Sequence, residues 1–66
     1  MDVIREWLVS YREVHGFSQT EVALKVGLTR QMISAVENGS QPSVGTAKKL
    51  GRLFNFDWTR FFNDDK

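Results

Sequence analysis

The chain contains no cysteine. A disulfide framework and a thiolate metal site are therefore both excluded, and neither can staple the fold. It has one histidine, His15, and one proline, Pro42. There is no His–carboxylate cluster and no Gly-rich phosphate loop, so nothing marks an enzyme. No metal, other cofactor or small-molecule ligand is expected. No apolar run approaches the ~18 residues of a membrane span, and no signal-peptide pattern opens the chain. The expectation is a cytoplasmic protein with no membrane partner. Period-2 alternation is missing, as are internal repeats, low-complexity stretches and linkers.

What remains is short and helical. Its 66 residues make one domain, 1–66. A chain of this length buries only about 60% of its unfolded surface. Stability must come from helix packing, assisted by self-association. The 41% hydrophobic and 26% charged content is ordinary for a globular domain. The net charge of +1 says little, but its distribution says more. Lys25, Arg30, Lys48, Lys49 and Arg52 against Glu21 and Glu37 leave residues 18–52 at +3; the remainder stands at −2. A basic middle between acidic ends would draw phosphates toward the middle.

The stretch Gln19–Val36 reads as helix, tight turn, helix. Ser18 and Glu21 form the S-x-x-E pattern of a capping box. Val22, Ala23 and Val26 fall on one buried face. Gly27 suits a sharp stop because it takes positive φ without steric cost. Leu28 can plug the corner, and Thr29 can cap the second helix. On that helix Ile33 and Val36 face inward, which leaves Arg30, Gln31 and Ser34 on an outward face near its start. Ala23 is small where two steeply crossed helices must approach. A plain helical hairpin inside a bundle would show some of these features. All of them together, over 19–38, describe a helix-turn-helix. Polar side chains on the leading turn of an exposed helix are what reading a DNA major groove requires.

Residues 2–15 read as a first helix, capped by Asp2, with Ile4, Leu8, Tyr11 and His15 on one stripe and Val3, Trp7 and Val14 on a neighbouring one. Gly16 ends it. Helix two covers 19–26 and helix three 30–37, closed by Asn38-Gly39. Ser43 caps a fourth helix that runs to Phe54. Val44, Ala47, Leu50, Leu53 and Phe54 of that helix face the core, and Gly51 marks a close-contact point. Asp57 caps a short fifth helix, W-T-R-F-F. Met32 either packs on the edge of helix two or lies on the groove wall. The predicted fold is a compact all-α domain of five helices.

These residues resemble the phage repressor and Cro family, the xenobiotic-response-element type of helix-turn-helix DNA-binding domain. The resemblance is carried by Leu8, Tyr11 and Arg12 ahead of G-F-S-Q, by T-R-Q-M-I-S-A-V-E-N-G, and by Q-P-S-V-G-T-A-K-K-L-G-R-L-F. It covers about residues 4–62. It implies a lambda-repressor-like fold with helix three in the major groove. By position, Arg30, Gln31 and Ser34 match base readers. Gln19, Thr29, Asn38, Ser40, Thr46 and Lys49 match contacts to the DNA backbone. Arg12 and Glu37 match a structural ion pair. Arg suits guanine O6 and N7, and Gln suits adenine N6 and N7. Ala35 stands where some relatives carry a long polar base reader, so readout rests more on Arg30, Gln31 and DNA shape.

The function implied is a sequence-specific double-stranded-DNA-binding regulator, a repressor working as a homodimer on a two-fold operator. The dimer contact would use Trp58, Phe61 and Phe62, some of which pack with Trp7. The same aromatic end supports another reading: a protein-interaction module such as an antitoxin subunit or an adaptor. Lys48 and Lys49 fit a solvated face as well as a phosphate clamp.

Overall fold

Local chemistry sets most of the helix boundaries. The computed structural model describes residues 4–63. They form α1 (Glu6–Val14), α2 (Gln19–Val26), α3 (Arg30–Glu37), α4 (Val44–Phe54) and α5 (Arg60–Asn63), with no strand among the described residues. Ser18 and Glu21 make the capping box of α2: Ser18 Oγ accepts from the Glu21 amide at 3.1 Å, and Glu21 Oε1 accepts from the Ser18 amide at 2.7 Å. Gly27 ends α2 at φ 73°, in the left-handed region where a Cβ is costly, and its N–H reaches back to the carbonyls of Ala23 and Leu24. Thr29 Oγ1 then takes the Met32 amide at 3.1 Å and opens α3. Ser43 does the same for α4 through the Thr46 amide at 3.2 Å.

Two helices differ from their sequence-based limits. The first begins at Glu6 rather than residue 2, and the expected Asp2 cap lies outside the described residues, as does Val3. The reason is Arg5. Its backbone N–H donates to the Glu37 carbonyl at 2.7 Å, and its guanidinium donates to the carbonyls of Val36 and Ser40. Arg5 is thus drawn onto the C-terminus of α3, whose last carbonyls have no intrahelical partner. Ile4 consequently stands 52% exposed instead of joining the Leu8 stripe. At the other end Val14 is exposed, and His15, exposed as well, keeps its ring 5.2 Å from that of Phe54. The last helix begins at Arg60 rather than Trp58. Its opening turn is held by i→i−3 bonds from the amides of Arg60, Phe61 and Phe62.

The core joins all five helices: Leu8 of α1, Val22 and Ala23 of α2, Ile33 and Val36 of α3, Ala47, Leu50 and Phe54 of α4, and Phe61 of α5. Burying a side chain such as Leu50 or Ile33 contributes roughly 1.5–3 kcal/mol. Val44, expected in this set, opens α4 and is 49% exposed; Thr46 is buried in that turn instead, and Ala47 faces the core as expected. An aromatic wall closes the open end of the bundle. Trp7 lies 5.1 Å from both Phe56 and Phe61, and Tyr11 lies 5.1 Å from Phe56. Phe61 is 1% exposed. The fifth helix therefore completes the core, with Phe61 set against Trp7 of α1 and Phe56.

Candidate nucleic-acid interface

Two capped helix starts lie side by side. The first residue of α2, Gln19, and the first residue of α3, Arg30, meet directly: Arg30 Nη1 donates to Gln19 Oε1 at 3.0 Å. Arg30, Gln31 and Met32 are all exposed on the leading turn of α3, and Ala35 is exposed one turn later. No acidic residue lies in the first turn of α3. A cation at that end opposes the helix dipole, which favours anions there. Arg30 is thus not placed for the stability of its own helix. Its position suits an anionic or acceptor-rich partner brought to the same end.

Below this surface the side chains form a connected network. Gln19 is half-buried and its Nε2 donates to Glu37 Oε1 at 2.9 Å. Glu37, 4% exposed at the end of α3, is gripped by Arg12 of α1: Nε to Oε2 at 2.6 Å and Nη2 to Oε1 at 3.3 Å. The hydrogen bond to Glu37 holds the Arg12 pKa above its ordinary value, against the smaller opposing effect of desolvation. Arg12 Nη1 also donates to the Phe17 carbonyl at 3.0 Å, which ties the α1–α2 link to the same point.

The remaining sequence-predicted residues divide by burial. Thr29 is exposed, and its hydroxyl oxygen is engaged in the α3 cap. Ser34 is half-buried and accepts from Asn38 Nδ2, 3.3 Å to Oγ and 2.9 Å to the carbonyl. Asn38 and Ser40 are exposed just beyond α3, and Lys49 is exposed on α4. Thr46 differs from expectation. It is 7% exposed and its Oγ1 accepts from Ser43 Oγ at 3.1 Å, because the first turn of α4 uses it as a capping partner. Its side chain faces the protein, not a duplex. Phe61 meets the expectation that some of the three C-terminal aromatics pack with Trp7, its ring buried 5.1 Å from the indole and so lost to a dimer contact, while Trp58 and Phe62 remain half-buried. Lys48 Nζ lies 5.2 Å from the centre of the Trp58 ring, so it is occupied there. His15 is exposed, with Nδ1 2.8 Å from the Tyr11 carbonyl, and no metal-holding cluster occurs among the described residues.

Arg5 went unread in the sequence. A single arginine ahead of a helix has no local pattern to announce that it will cap a helix 31 residues away. The double engagement of Gln19 was equally hidden.

Comparison with known proteins shows the family. A model of the helix-turn-helix family matches residues 8–61. An uncharacterized HTH-type transcriptional regulator of Bacillus subtilis, YqaF, is 43% identical over 63 residues, 94% of this chain and 83% of that protein. The chain belongs to the helix-turn-helix family of transcriptional regulators. Two archaeal members agree. An uncharacterized HTH-type regulator of Methanocaldococcus jannaschii is 40% identical over 45 residues, 67% of this chain and 68% of its own. One from Archaeoglobus fulgidus is 38% identical over 53 residues, with 79% and 76% covered. Among solved structures, the complex of SinR protein with SinI protein superposes with a TM-score of 0.79 over 94% of this chain. The chain spans 62% of that SinR–SinI chain at 22% identity, so the likeness speaks for the helix-turn-helix fold alone. Family membership makes the chain a regulator rather than an enzyme. No helix among the described residues is long and apolar enough to cross a membrane.

Proposed function

We propose that this helix-turn-helix protein is a sequence-specific regulator of transcription that binds double-stranded DNA as a homodimer. In this reading α3 enters the major groove, Arg30 and Gln31 read base edges, and Ser34 adds a shorter contact. Gln19, Thr29, Asn38, Ser40 and Lys49 hold the phosphate backbone. A two-fold operator overlapping a promoter gives repression. The observation that carries the reading is the leading turn of α3: Arg30 and Gln31 are exposed there, at the helix end where a cation weakens its own helix. The proposed dimer contact uses α5 and the loop before it, through Trp58 and Phe62, whose rings lie 6.0 Å apart.

Selection of binding sites from random duplexes tests this. Two half-sites related by a dyad, with centres about 34 Å apart, are expected. Affinity should fall steeply with salt as counterions are released. No enriched sequence, with binding of any partner indifferent to salt, would sink the DNA reading and favour a protein partner at the aromatic end.

A further inference from the structure

We infer that Glu37 is a positioning residue for base recognition and acts on Arg30 through Gln19. The inference rests on the DNA-binding reading above and extends it from the exposed turn of α3 to a buried carboxylate.

The argument is one of donors and acceptors. A carboxylate only accepts, and a guanidinium only donates. Gln19 lies between the two. Its Nε2 faces Glu37 Oε1 at 2.9 Å, and its Oε1 faces Arg30 Nη1 at 3.0 Å. Turning the amide over would set oxygen against oxygen at one end and N–H against N–H at the other. Glu37 and Arg30 therefore agree on a single amide orientation. The Glu37 end is the fixed one, since its side chain is 5% exposed and is held by Arg12 at 2.6 Å. Arg30 is exposed and has a long flexible stem, so it is the end that gains order. With Nη1 turned toward Gln19, the rest of the guanidinium fork remains for a base edge. The Arg12–Glu37 pair thus does more than join α1 to α3. Its carboxylate sets the polarity of the contact that aims Arg30.

The test compares duplexes differing only at the base pair whose preference Arg30→Ala abolishes. The readout is the ratio of affinities for the preferred pair over its replacements. Gln19→Ala leaves the Arg12–Glu37 pair in place and should reduce that ratio about three- to tenfold, the effect of losing one hydrogen bond. Glu37→Gln, measured well below its melting midpoint, should reduce it by a similar factor and leave preference at the other pairs unchanged. The double variant should match Gln19→Ala alone, because both act on one contact. If Arg30→Ala abolishes a preference that Gln19→Ala and Glu37→Gln both retain in full, the inference is overturned and Glu37 is structural only. Additive losses in the double variant also overturn it. A wild-type protein with no preference at any pair instead overturns the DNA reading, a result distinct from both.

Discussion

Gly51 and Phe56 leave no room for a side chain between them. The Phe56 amide donates to the Gly51 carbonyl at 2.9 Å, and the Phe56 carbonyl lies 2.7 Å from where a Gly51 Cβ would stand. The Cβ and Cα of Trp58 lie 3.2 and 3.3 Å from the same point. The chain after α4 folds back across that helix, and a hydrogen at Gly51 is what lets it.

Gly51→Ala should therefore destabilise the protein, although alanine is the better helix former. The propensity gain is about 1 kcal/mol. Pushing backbone atoms aside typically costs about 1–3 kcal/mol. The clash is with backbone rather than a flexible side chain, so the cost should win and the urea midpoint should fall. A raised midpoint would show that the Phe56–Trp58 segment gives way freely.

Arg5 closes the carbonyl end of α3. Arg5→Met keeps much of the apolar stem but loses the donations to Val36 and Ser40. Each hydrogen bond from a charged group contributes about 1.5–3 kcal/mol. A loss of at least about 2 kcal/mol in chemical denaturation is expected. An unchanged unfolding curve would mean that the carbonyls find other partners.

Removing one partner of the Arg12–Glu37 pair should also be costly. Glu37→Ala strands a guanidinium whose side chain is 17% exposed, so the loss should sit at the lower end of the usual range, about 3 kcal/mol. Thermal melting measures it. The Arg12 pKa is raised in the folded state, so its contribution is complete below the ordinary arginine range and fades only as pH climbs through the raised value. The wild-type midpoint should show no loss from Arg12 anywhere in the neutral or mildly alkaline range.

Those contacts mark where sequence reading succeeds and where it stops. The caps at Ser18, Thr29 and Ser43 and the turn at Gly27 were legible because each acts within three or four residues. The inward faces of α2, α3 and most of α4 were legible from period alone. The start of α1 was not, because it is decided by Arg5 reaching α3. Resemblance gives Thr46 an outward role that burial removes; for Phe61 the sequence leaves packing with Trp7 and a dimer contact both open, and burial selects the first. At the site, Arg30 and Gln31 could be placed on the exposed turn from pattern, but the Gln19 bridge required two helix starts to be seen together. Local chemistry sets the ends of elements; only their packing decides which polar side chains meet.

Asp57 offers a pH test at the far end. Its carboxylate accepts from the Thr59 hydroxyl at 2.8 Å and the Thr59 amide at 3.0 Å, and these bonds, the hydroxyl first, lower its pKa. A depressed carboxylate stabilises the fold above its ordinary range, and that contribution is lost as pH falls through the lowered value. Direct titration of the carboxyl by NMR should give a midpoint below the usual aspartate value. Thr59→Ala should move it back upward. A midpoint indifferent to Thr59→Ala would show that the hydroxyl bond does not persist in solution.

Base reading and phosphate binding should separate by mutation. Arg30→Ala removes a guanidinium proposed to reach guanine; it should cost about 1–3 kcal/mol on the preferred duplex and relax selection at one base pair. Lys49→Ala removes a proposed phosphate contact. It should weaken all duplexes alike and lower the slope of log K against log salt by about 1. The two signatures cannot be exchanged by partial unfolding, which would lower every affinity without changing selectivity at a single pair. Titrations of both variants over preferred and scrambled duplexes at several salt concentrations distinguish them. If Arg30→Ala merely reproduces the uniform loss of Lys49→Ala, Arg30 contacts the backbone and the selectivity of α3 must rest on Gln31 and DNA shape.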